Sequence, residues 1–171
     1  MFDVSDGKSL GVLRSPAGIT TRIHVDGSLI VFGCADGAVR VVDFDAGKVL
    51  WTQSVGRTPK DRDLAITKDR VLIVAEDRIV VFDRATGSKI GEVETEDTVL
   101  GLSTQGDRAF ARVRRPRSPQ KPVHEALVAI DAASATVLWA YALSQNGPGP
   151  LGVDGMSLAL PTPEGQVVLF R

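Results

Sequence analysis

The chain has 171 residues, 43% hydrophobic and 24% charged, enough for one domain with a sizeable core. Its 20 basic and 21 acidic side chains leave a net charge of −1, so no global field favours nucleic acid or an anionic membrane surface. Cys34 is the single cysteine, which excludes an intramolecular disulfide and a cysteine-rich metal site, and no apolar run approaches the roughly 18 residues of a membrane-spanning helix.

The opening stretch MFDVSDGKSLG has neither a basic n-region nor an apolar h-region, so no signal peptide is expected there. Read as a genuine start it points to the cytoplasm; read as the interior of a longer parent it fits the envelope or a secreted protein. A first strand is expected over 8–14. Short β-branched runs between turn signals then predict strands over 19–25, 29–34, 38–44 and 48–54. The next set is 63–67, 70–75, 78–83 and 88–94, followed by 99–104, 108–114, 126–131 and 136–143. A last set, 151–153, 157–160 and 167–171, lacks a fourth member. Several runs are continuously apolar (LIVFG, RVLIVA, RIVVFD), as strands covered on both faces should be.

The sets repeat. An apolar residue followed by Asp precedes each turn at Phe2-Asp3, Val42-Asp43, Phe82-Asp83 and Ile130-Asp131, and Phe170 takes the next apolar place with Arg171 in the Asp position. The intervals are 40, 40, 48 and 40 residues. Gly7, Gly47 and Gly87 follow at one offset, where a tight turn needs positive φ; the third complete unit has Ala135 there and loses the signal. Two segments read almost alike: DFDAGKVLW at 43–51 and DAASATVLW at 131–139. Four strands per unit of about 40 residues is the pattern of a β-propeller blade. The expected fold is all-β: a single propeller domain over residues 1–171, in phase at 2, 42, 82, 130 and 170. It is either a closed four-bladed ring, half of a larger propeller, or one of two copies joined into an eight-bladed ring.

These residues resemble the pyrroloquinoline-quinone-like (PQQ-like) β-propeller repeat family. Its phrase is a strand ending in apolar-x-Asp, a Gly turn, Lys, and a Trp eight residues after the Asp. Asp43, Gly47, Lys48 and Trp51 match it. Asp131 and Trp139 match with Ala135 and Thr136 between them; Asp3, Gly7 and Lys8 match with Gly11 in the Trp slot; Asp83 and Gly87 match with Gly91 there. The resemblance implies that Trp51 and Trp139 are buried where one blade meets the next. Each Asp is expected to cap its own turn.

The family's enzymes bind pyrroloquinoline quinone with Ca²⁺ beside a vicinal disulfide and a catalytic Asp. One cysteine excludes that disulfide, and no Glu/Asn/Asp set can be assigned to calcium. No catalytic, cofactor or metal residue is therefore assigned. His24 is expected to be structural and Cys34 an inert buried thiol. The irregular segment is RVRRPRSPQKPVHEA, 112–126, which carries Arg112, Arg114, Arg115, Arg117 and Lys121 with His124 and a single acid, Glu125. It is expected to protrude beside the acidic stretch Glu92, Glu94, Glu96 and Asp97, which would neutralise part of it, and Arg57, Lys60 and Arg62 would extend the basic area. The first functional reading is a non-catalytic scaffold or protein-interaction module, similar to envelope-assembly propellers and to sensor propellers of bacterial signalling proteins. The alternatives are a quinoprotein dehydrogenase fragment binding the quinone and calcium, and nucleic-acid binding through the basic insertion, which the balanced charge disfavours.

Overall fold

The computed structural model describes residues 5–9, 11–95, 98–114, 125–143, 152–154, 157–161 and 167–170. The described chain is all-β. β1 (His24–Asp26), β2 (Leu29–Gly33), β3 (Ala38–Asp43) and β4 (Lys48–Ser54) form one sheet in chain order. β5 (Leu64–Ile66), β6 (Arg70–Ala75), β7 (Arg78–Asp83) and β8 (Lys89–Glu94) form a second, and β9 (Thr98–Gln105), β10 (Arg108–Arg114), β11 (Glu125–Asp131) and β12 (Thr136–Leu143) a third. β13 (Gly152–Asp154), β14 (Ser157–Pro161) and β15 (Val167–Phe170) form a three-stranded sheet. Every pairing between these strands is antiparallel.

Two expectations differ from the structure at the start of the chain. Over 8–14 only Ser9 stands at a bridge, and the described residues from Gly11 to Ser15 hold no strand. The strand expected over 19–25 reduces to β1, with Ile19 making an isolated bridge to Cys34. Thr21 is the reason. Its hydroxyl accepts the Gly33 N–H at 2.8 Å, so a side chain takes the ladder bond and regular pairing resumes only at His24.

The middle sheet is buried on both faces. Val71, Ile73 and Phe82 pack with Val31, Val39, Val41 and Trp51 of the first sheet. Leu72, Ile79 and Val81, pointing the other way, pack with Ala109, Ala111, Val113 and Ile130 of the third. Alternate side chains thus serve opposite faces, and this requires the unbroken apolar runs of β6 and β7.

The repeat also carries a feature that residue identity did not disclose. Each outer strand has a register shift one residue before the slot position. Val41 pairs Trp51 but Val42 pairs Val49; Val81 pairs Gly91 but Phe82 pairs Lys89; Ala129 pairs Trp139 but Ile130 pairs Val137. The extra residues Leu50, Ile90 and Leu138 are pushed outward and are exposed. Such a bulge bends the strand and re-aims the next side chain. In β4 it aims Trp51 at the neighbouring sheet.

Candidate functional site

Trp51 leaves β4 and lies on the turn between β7 and β8. Its indole Nε1 donates to the Arg84 carbonyl at 2.8 Å, and only 8% of the residue is exposed. Its ring stands beside Phe82, with centroids 6.0 Å apart. A Cβ added to Gly87 would fall 2.6 Å from the ring, so the turn must present bare backbone there, and its φ of +73° asks for glycine as well. Two residues along, Gln53 donates to the Gly87 carbonyl at 2.9 Å. Arg84 returns the contact: its guanidinium pairs with Asp26 of the first sheet at 2.7 Å and donates to the Lys68 carbonyl at 3.0 Å.

The other slots meet the following turn with reversed sizes. Gly91 of β8 faces Ala135, where an added Cβ would be 2.8 Å from the alanine Cβ. Gly11 faces Phe44, with 3.1 Å to its ring. The large slot residue Trp51 meets a bare turn, whereas the bare slots Gly91 and Gly11 meet the side chains of Ala135 and Phe44, the latter in a turn whose own glycine is Gly47. Ala135 keeps positive φ (55°) despite its Cβ, so the turn persists where its sequence signal is lost.

Trp139 departs from the expectation of burial. It occupies the slot on β12, yet it is 40% exposed, with the Phe110 ring 6.2 Å away. No described residue accepts from its indole N–H. The reason is topological: the turn that would cover it belongs to the next unit, and the described residues set none against it.

The turn carboxylates hold their own loops. Asp43 Oδ1 accepts the Ala46 N–H at 3.0 Å, Asp83 Oδ1 accepts the N–H groups of Ala85 and Thr86, and Asp131 Oδ1 accepts the Ala133 N–H at 2.8 Å. These bonds hold the carboxyls of Asp83 and Asp131 below the usual range. Gly47 sits in the same kind of turn at φ +63°. Asp3 lies outside the described residues.

At the base of the insertion, Glu125 is fully buried. Arg112 Nε donates to its Oε2 at 2.6 Å, and Arg114 Nη2 donates to its Oε1 at 2.7 Å. Arg112, with its side chain 8% exposed, faces inward rather than toward a partner; Arg114 is half exposed. Arg115, Arg117, Lys121 and His124 lie outside the described residues. Of the acidic stretch, Glu92 pairs with Lys89 at 2.6 Å and with Arg78 at 3.2 Å, while Glu96 and Asp97 lie outside the described residues. Arg57 is likewise engaged, pairing with buried Asp63 at 2.7 Å, and Arg62 packs on Gly101.

Cys34 is buried, 3.2 Å from Ser15 Oγ. An open groove of about 380 Å³ between the first two sheets has Val80 and Phe82 in its floor and Glu76, Arg78 and Lys89 at its rim. Both cations are shared with Glu92, so the groove carries little field. No group of three His, Cys, Asp or Glu side chains stands together among the described residues. With one cysteine in the chain, these residues do not fit a calcium–quinone site with its vicinal disulfide.

His24 bonds the Leu64 backbone, while its Nε2 is buried without a partner. Burial pushes its pKa below the ordinary imidazole value, with Arg22 adding to the fall and Asp61 opposing it. The unfolded chain therefore takes up the proton first. Stability from this group is fully present above the ordinary value and is lost as pH drops below it, until the lowered folded value is reached. Acidifying from about pH 7.5 to about pH 5.5 is expected to lower the melting temperature. Circular dichroism melts should show a shallower pH dependence in His24→Gln; an unchanged slope would remove His24 as its source.

Three comparisons bear on this arrangement. A PQQ-repeat family model described as "Outer membrane protein assembly factor BamB" matches residues 1–115. A search of curated protein sequences matches none. Among solved structures, BamB from Moraxella catarrhalis aligns at TM-score 0.65 and 16% identity, over 87% of this chain and 42% of that one. The computationally designed Ika4 protein aligns at TM-score 0.73 and 15% identity, over 96% of this chain and 98% of that one. A quinohemoprotein alcohol dehydrogenase from Comamonas testosteroni aligns at TM-score 0.56 and 17% identity, over 81% of this chain and 23% of that one. At these identities the likeness is one of fold. The chain spans less than half the length of the BamB structure.

Proposed function

The chain belongs to the PQQ-repeat β-propeller family described as outer membrane protein assembly factor BamB, and from that premise we propose that it is a non-catalytic scaffold that binds a protein partner. The observation that carries this reading is the contrast between the joints and the insertion. Within the described sheets, the conspicuous polar groups hold turns or tie one sheet to the next: Asp43, Asp83 and Asp131 on their own loops, Arg84 on Asp26. The one long departure from the repeat, between β10 and β11, is rooted on a buried carboxylate and carries Arg115, Arg117 and Lys121 in its sequence. A loop anchored at its base and charged beyond it suits recognition of an acidic protein surface. The outer-membrane assembly factor of the same family is consistent with a binding role.

The quinoprotein reading is less well supported, because the residues do not fit its cofactor. We also read the chain as four blade units, the last made of β13–β15, whose fourth place the segment at residues 8–14, of the same chain or of another copy, would fill by taking up the regular pairing that it lacks in this structure.

The test is affinity capture with the full chain as bait, comparing wild type with Arg115→Glu/Arg117→Glu/Lys121→Glu. Arg112 and Arg114 are left intact because they hold the base of the insertion on Glu125. Loss of a captured partner, at unchanged melting temperature, is the expected result. Retention of every partner would sink the docking-arm reading.

A further inference from the structure

Trp139 and Gly7 are two halves of a joint that the single chain leaves unmade. We propose that a second copy of this chain supplies the missing half, the Gly7 turn of each copy seating against Trp139 of the other. The inference rests on the four-unit reading above and names the contact through which two copies would join.

The argument runs through the one complete tryptophan joint. Trp51 requires a turn with bare backbone, and Gly87 provides it at φ +73°. The strand that leaves this turn carries glycine, Gly91, in its own slot. A tryptophan slot is thus followed by a unit with a glycine turn and a glycine slot. Gly7 and Gly11 repeat that pair: Gly7 lies 80 residues before Gly87, and Gly11 80 residues before Gly91. The turn is also preset. Gly7 has φ +71°, within a few degrees of Gly87, and Asp6 Oδ1 accepts the Lys8 N–H at 3.0 Å.

Both halves are open. Among the described residues nothing lies within 4 Å of the position a Cβ would take at Gly7, whereas at Gly87 that space holds the Trp51 ring. Trp139 is 40% exposed against 8% for Trp51. Within one chain, then, the two do not fill each other. The first unit already holds its N-terminal segment in place: Gly11 lies on Phe44, and Leu13 and Ala17 pack beside Ile30, Phe32 and Cys34. The Gly7 turn is therefore carried on the leading flank of the first sheet, while Trp139 stands on the trailing flank of the third. Two copies related by a twofold axis offer each flank to the other, which gives two identical joints and a closed assembly. Seating the rings would also cover apolar surface that a separate chain leaves wet.

Light scattering across a dilution series tests this with the chain as it is. Wild type is expected at twice the 18.2 kDa chain mass, falling to one chain mass on dilution. Trp139→Ala and Gly7→Val should stay at one chain mass with unchanged far-ultraviolet circular dichroism. A second readout uses Trp51→Phe, in which Trp139 is the only indole: its emission should shift to the blue as concentration rises. A wild type of one chain mass at all concentrations would overturn the proposal, as would a dimer that survives Trp139→Ala, or blue emission independent of concentration. A single-chain mass would leave the scaffold reading standing, and failure of partner capture would leave the dimer standing, so the two are separable.

Discussion

Replacing Trp51 by alanine is expected to destabilise the single chain by about 3–5 kcal/mol, the range for removing a large buried aromatic. The loss has two parts. The ring leaves a cavity against Phe82 and Gly87, and the Arg84 carbonyl loses its indole donor. Trp51→Phe keeps most of the apolar area and should cost less, about 1–2 kcal/mol, largely from the unpaired carbonyl. Gly87→Ala attacks the same contact from the other side, since its Cβ would lie 2.6 Å from the ring. Its cost should fall when combined with Trp51→Ala, because the ring that clashes is gone. Urea denaturation of the four variants gives the coupling directly. Trp139→Ala is the internal control: under dilute conditions its half-exposed ring should cost far less than Trp51. Equal costs at the two positions would refute the assignment of Trp51 as the made joint.

Glu125→Leu is expected to be the other large effect, about 3–5 kcal/mol, because it leaves the Arg112 guanidinium buried without its counter-charge. Arg114, half exposed, can turn to water and should contribute less. The double variant Arg112→Met/Glu125→Leu replaces charges with apolar groups of similar bulk and should recover most of the loss. Thermal and urea unfolding of the three proteins decides the matter: a harmless single variant would mean that the ion cluster does not hold the base of the insertion. The pair also explains why charge counting misleads here. Arg112 and Arg114 belong to the basic run in the sequence, yet both are turned to one acid thirteen and eleven residues later.

Much of this was readable in one dimension. Strands alternate on a two-residue period, and turns need glycine or a carboxylate at fixed places, so β6, β7, β10 and β12 start and stop where composition puts them. The 40-residue register likewise marks Trp51 and its slot. Reading failed where a side chain replaces the backbone or where a partner is distant in sequence. Thr21 taking the Gly33 N–H shortened the first strand. Glu92 reads as one acid of a run, and only the fold pairs it with Lys89 and Arg78. The outer-strand bulges left no residue signature beyond the exposed apolar pairs Val49-Leu50 and Val137-Leu138, which a simple alternation would count as errors.

The sequence by itself determined the all-β class, the repeat and the turn chemistry, because these depend on contacts a few residues apart. It could not separate Trp51 from Trp139, which share the phrase Val-Leu-Trp at the same distance from Asp. Only the tertiary structure did so. A ring is buried when a bare turn some thirty-six residues onward stands over it, as Gly87 does over Trp51, and no local pattern records whether that turn has arrived.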